Sequence, residues 1–118
     1  MRKLQKMPGR NGKRKVVIDN MQVIPLQQIP NQEFNIVLNG QNCTIHLYQK
    51  GDYMYLDLTC DGTIVRQGGI CLINMDLLQY PTPYFGGTLF FADMMQKDTA
   101  PHYSGLGTRY VLYYEEEL

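Results

Sequence analysis

From Met21 onward apolar side chains recur at every second position, and this spacing constrains the fold more than any other feature of the chain. Phe34, Ile36 and Leu38 alternate with Glu33, Asn35 and Val37, and Cys43, Ile45 and Leu47 alternate with Thr44, His46 and Tyr48. Met54, Leu56, Leu58 and Cys60 then alternate with Tyr53, Tyr55, Asp57 and Thr59. Successive side chains of an extended strand point to opposite faces, so a period of two gives each segment one apolar face. The runs are separated by Asn39-Gly40, Lys50-Gly51-Asp52 and Asp61-Gly62. Such pairs readily supply the positive φ angles of tight turns. The pattern predicts two β-hairpins, the second closing onto a short strand from Thr63 to Gln67.

Gly68-Gly69 marks a bulge or sharp bend before Ile70 to Ile73, because glycine reaches backbone conformations that a Cβ resists. Residues 70 to 80 are ambiguous: Ile70, Ile73, Leu77 and Leu78 also match a helical stripe. Asn74 is placed to cap a single turn through Met75 to Leu78 before Pro81 and Pro83 stop regular structure. Thr88 to Met94 and Arg109 to Tyr114 read as the last two strands, joined by a polar loop with Pro and Gly. At 118 residues the chain suits one domain. The expected fold is all-β, a small single-domain β-barrel or β-sandwich of about seven strands with an extended N-terminal arm.

The arm is a matter of charge. The whole chain is formally neutral, yet residues 1–20 hold seven basic side chains and one acidic one, +6, while residues 21–118 hold four basic and ten acidic ones, −6. The basic residues are Arg2, Lys3, Lys6, Arg10, Lys13, Arg14 and Lys15. The first twenty residues contain none of the thirteen aromatic side chains and have no core of their own, so they read as a flexible arm ordered by a partner. A start at Met21 with a dispensable extension before it is the bland alternative. A basic segment of this kind suits an acidic protein groove, a phosphate backbone or a solvated tail. The basic start leads only to Val16-Val17-Ile18 before Asp19, which fits neither a signal peptide nor a membrane anchor. Cys43, Cys60 and Cys71 are odd in number and widely spaced, and read as buried thiols of a protein made in a reducing cytosol.

Residues able to do chemistry are sparse. His46 falls in a predicted strand and His102 follows Pro101, neither with a second ligand at metal spacing or a nucleophile beside it. Asp57 and Asp61 are separated by a turn and make a poor acid–base pair. Gly9-Arg10-Asn11-Gly12-Lys13 lacks the spacing and the preceding strand of a phosphate loop. Gly105-Leu106-Gly107 reads as a turn into the last strand. No catalytic residue, metal site or cofactor is expected.

Tyrosine is the remaining excess, with nine in the body. Exposed tyrosines bring large contact area at low entropy cost to protein interfaces. Tyr80, Tyr84, Phe85 and Tyr103, all in predicted loops, are the candidate partner-binding residues of the body. Stacking on nucleic acid is the competing use, and the acidic body disfavours it.

The order of short motifs carries a resemblance. Pro25-Leu26, Pro30-Asn31-Gln32-Glu33-Phe34, Tyr55-Leu56-Asp57-Leu58, Gly68-Gly69-Ile70, Asn74-Met75-Asp76-Leu77-Leu78, Gly86-Gly87-Thr88-Leu89, Leu106-Gly107 and Tyr110-Val111-Leu112-Tyr113-Tyr114 follow one another along the chain. Over residues 21 to 114 this order resembles the baseplate plug proteins of contractile-tailed phages. The chain departs from that pattern in having no Trp near the Leu-Asp-Leu strand, where Tyr53 or Tyr55 stands instead. The resemblance implies a non-enzymatic virion component of a myovirus tail baseplate, made in the bacterial host cytoplasm. Its implied partners are hub, spike and tube-initiator proteins, met by several copies around a symmetry axis, with neither nucleic acid nor membrane. The arm lies outside the resemblance. The alternative function is a small nucleic-acid-binding β-barrel that uses the arm.

Overall fold

A computed structural model describes residues 20–117. The described residues form seven strands: β1 (Met21–Ile24), β2 (Asn31–Leu38), β3 (Gln41–Lys50), β4 (Tyr53–Cys60), β5 (Thr63–Ile70), β6 (Thr88–Asp93) and β7 (Tyr110–Glu115). One short 3-10 turn, Tyr103–Gly105, interrupts the last connection. The basic side chains assigned to the arm, from Arg2 to Lys15, lie outside the described residues.

The two hairpins expected from the alternation form a four-stranded antiparallel sheet in the order β2-β3-β4-β5. Cys43, Ile45 and Leu47 of β3 stand opposite Cys60, Leu58 and Leu56 of β4, so one face of the pair is a continuous apolar surface. The second antiparallel sheet has the order β1-β7-β6. It contributes Ile24, Leu112, Tyr114, Leu89 and Phe91 to the same buried cluster. The sheets do not close into a barrel, and of the two expected architectures the open, two-sheet arrangement around one core is the one formed. Gln32 is polar yet faces inward from β2. Its amide donates to the Gln27 carbonyl at 2.8 Å and accepts the Gln27 N–H at 3.1 Å, so it satisfies the connection that carries the chain from one sheet to the other.

The expected irregularity at Gly68-Gly69 is a bulge inside β5 rather than a break before a new strand. Between the Leu56–Gly69 and Leu58–Arg66 pairs, Gln67 and Gly68 together oppose Asp57, whose Oδ1 accepts the Gly68 N–H at 2.7 Å. The strand then continues to Ile70. The turn expected after Asn74 is not helical. Asn74 takes a positive φ of 57°, and its N–H donates to the Phe91 carbonyl at 2.8 Å. Asp76 accepts the Leu78 N–H at 3.0 Å in its place. The helical stripe is instead the end of β5 followed by an irregular strap of turns and single bridges: Ile73 bridges Phe91, and the Leu77 N–H donates to the Leu89 carbonyl at 2.8 Å. The strap covers the outer edge of β6, and tertiary pairing outweighs local periodicity because an unpaired edge would leave backbone groups unsatisfied.

Candidate functional site

After Leu77 and Leu78 bury themselves in the core, the same strap turns outward and presents its aromatic residues. Tyr80 is 75 % exposed and Tyr84 57 %, on either side of the Pro81-Thr82-Pro83 corner. Phe85, only 4 % exposed, points the other way. Its ring packs 5.6 Å from that of Tyr114, and the Tyr114 hydroxyl donates to the Gly86 carbonyl at 2.7 Å. Phe85 is therefore the anchor that fixes the loop, not part of its outer face. The Gln41 side chain adds a second tie, donating to the Tyr84 carbonyl at 2.8 Å. Gly87 allows the close approach: its φ is +109°, and a Cβ there would lie 2.5 Å from Cε1 of Tyr114 and 2.6 Å from the Glu115 carbonyl oxygen.

Between this loop and the end of β7 lies a cleft of about 420 Å³. Tyr80, Pro81 and Phe85 line one side, and Asp76, Glu115, Glu116 and Glu117 supply carboxylates, with no Lys or Arg on the wall among the described residues. The field of these acids is felt within the fold. Burial first, then the charges of Glu116 and Glu117 among its neighbours, push the Tyr114 phenol up to about 12, so the hydroxyl stays protonated and remains a donor to Gly86.

Tyr103 lies elsewhere. It opens the 3-10 turn, half-buried against the core, and its N–H donates to Oε1 of Gln49 at 3.2 Å. Gln49 and Gln41, which holds Tyr84, stand at opposite ends of β3, eight residues or roughly 26 Å apart at strand spacing. The four aromatic residues singled out from sequence therefore do not form one site: Tyr80 and Tyr84 share one end of the molecule, and Tyr103 stands at the other.

The polar groups that invited a chemical interpretation have structural partners. His46 Nδ1 lies 3.1 Å from Oδ2 of Asp57 and its Nε2 3.0 Å from Oδ1 of Asn31, and its ring stacks on Tyr48. Asp61, in the β4–β5 turn, accepts the Asn42 N–H of β3 at 3.0 Å, so one aspartate ties down a turn and the other holds the bulge of β5. His102 accepts the Ser104 N–H in the 3-10 turn. Asp93 faces inward and receives a two-pronged pair from Arg109 at 2.9 and 3.0 Å. No group of three or more potential metal ligands is gathered among the described residues.

The acidic wall was missed in the sequence. Glu115-Glu116-Glu117 is visible there as a charge run, but only the β1–β7 pairing and the strap bring it to Tyr80 and Asp76.

Residues 21–117 match a family model described as Cyanophage baseplate Pam3 plug gp18. No curated protein matches the chain.

Proposed function

Because the chain belongs to the family of the cyanophage baseplate Pam3 plug, a structural component of a phage tail baseplate, we propose that it packs against hub, spike or tube-initiator proteins near the central axis of a contractile tail. A baseplate plug is a virion protein associated with other baseplate components. The finer arrangement follows from the surface. Tyr80 and Tyr84, held outward by a loop pinned through Phe85 and Tyr114, supply rigid aromatic contact area on the body. The seven basic side chains of residues 1–15 supply a second, electrostatic contact to acidic neighbours. Several copies surround the axis after synthesis in the host cytoplasm, and the protein works by being held, without turning over a substrate.

The match across 97 residues, from 21 to 117, is the observation that carries this reading, because it spans both sheets and the strap between them. Cryo-EM of particles produced without the chain tests it. Baseplates that lack central density, with infectivity lost, are expected; intact infectious tails with unchanged baseplates would remove the proposal.

A further inference from the structure

Each copy of the chain carries a basic segment and an acidic aromatic cleft. We propose that the cleft between the Tyr80 loop and the Glu115–Glu117 tail receives Lys13 to Ile18 of a second copy of this chain. The inference deepens the proposed packing and rests on several copies sharing one axis.

Charge supplies the first argument. Among the described residues the ion pairs are His46–Asp57 and Arg109–Asp93, and neither involves Asp76, Glu115, Glu116 or Glu117. The four basic residues of the body, Lys50, Arg66, Lys97 and Arg109, are absent from the cleft wall. The remaining seven cations of the chain all fall within residues 2–15. The groove also has an apolar side: Tyr80 and Pro81 offer aromatic and ring surface to the stems of Lys and Arg and to Val16-Val17-Ile18 behind them.

The place where the segment joins the fold supplies the second. Met21 stands opposite Glu115, and the Glu116 N–H donates to the Asn20 carbonyl at 2.7 Å, so residues 1–19 join the body beside the acidic tail. From Asn20 to Lys15 an extended chain spans about 17 Å. Val16-Val17-Ile18 is β-branched, and such residues favour the extended backbone of a segment laid in a groove. In this proposal the cleft that the segment enters is a neighbour's.

The assembly supplies the third. Bodies carrying −6 repel one another at close range, and a +6 segment from each relieves the repulsion at every junction. Donor and acceptor surfaces differ, so the contact is heterologous and repeats around an axis until it closes.

The test uses two full-length variants. K13E/R14E/K15E has an acidic segment and an acidic cleft; E115K/E116K/E117K has a basic segment and a basic cleft. Each alone is expected to be monomeric by sedimentation velocity, with native circular dichroism, whereas an equimolar mixture forms a complex that salt weakens by roughly tenfold or more. A mixture that stays monomeric overturns the proposal, as does a complex indifferent to salt. If the Lys variant fails to fold, E115Q/E116Q/E117Q replaces it, and its self-association must fall about tenfold below that of the unaltered chain; unchanged self-association is equally fatal. A monomeric mixture together with damaged baseplates in particles lacking the chain would discard the docking and leave the plug assignment standing.

Discussion

Tyr114 shows how one side chain holds the exposed loop in place. Its ring supports Phe85 and its hydroxyl satisfies the Gly86 carbonyl, so Tyr114→Phe keeps the packing and removes only the donor. The variant is expected to lose about 1–2 kcal/mol of stability, read from urea midpoints, because the Gly86 oxygen is left without its partner. The phenol titrates near 12 in the fold, against about 10 in an unfolded chain. The folded state therefore holds this proton more tightly, and stability present below about pH 10 declines as pH rises toward 12. The Phe variant should lack that alkaline decline. Asp93 gives the opposite sign. The hydrogen bonds from Arg109, opposed by burial and helped by the Met95 and Thr99 N–H groups, hold its carboxyl well below the usual carboxylate range. Its stabilisation is complete above about pH 4 and is lost as pH falls below that value. Asp93→Asn should flatten the acid limb of a urea-midpoint profile; an unchanged limb would contradict the assignment.

The strap between β5 and β6 is the element on which the candidate surface depends. It shields the outer edge of β6 through the Asn74 and Leu77 N–H groups, buries Leu77 completely, and then delivers Tyr80 and Tyr84 to the surface. Leu77→Ala is expected to cost about 2–5 kcal/mol, the usual range for emptying a fully buried leucine site. The damage should be local before it is global. Amide exchange at Asn74 and Leu77 should accelerate well before that of the β3–β4 pairs, because the strap is held by isolated bonds and the hairpin by a full ladder. Equal acceleration in both regions would mean that the strap and the four-stranded sheet open as one cooperative unit.

At the scale of the molecule, two sheets share one apolar interior, so neither is expected to unfold alone. Cys43, Cys60 and Cys71 lie in that interior and report on it. Burial pushes the Cys71 thiol up to about 12 and the Cys60 thiol higher than its ordinary value, with Cys43 3.2 Å away adding to the latter. Little thiolate forms at neutral pH, and reagent has no path to it. In increasing urea, reaction of all three thiols with an aromatic disulfide reagent should follow the loss of near-ultraviolet circular dichroism with one midpoint. A cysteine that reacts rapidly in the native protein would show that the core opens in parts.

The alternation of Phe34 to Leu38, Cys43 to Leu47 and Met54 to Cys60, with the turn pairs between them, determined the two hairpins in advance, and the structure joins them through β3 and β4 into one sheet. Strand faces and tight turns are local, fixed by side-chain period and by residues that tolerate positive φ. The family was legible too, because the order of short motifs survives without any knowledge of contacts. What the tertiary structure alone decided was every feature that joins residues distant in the chain. A helical stripe from Ile70 to Leu78 became a strap because β6 offered unpaired carbonyls; Phe85 turned inward because Tyr114 lay beneath it; Tyr103 parted from Tyr84 across the length of β3. The three glutamates after Tyr114 became a cleft wall for the same reason: long-range backbone pairing outweighs local preference, and a side chain's surroundings are set by whichever strand is laid beside it.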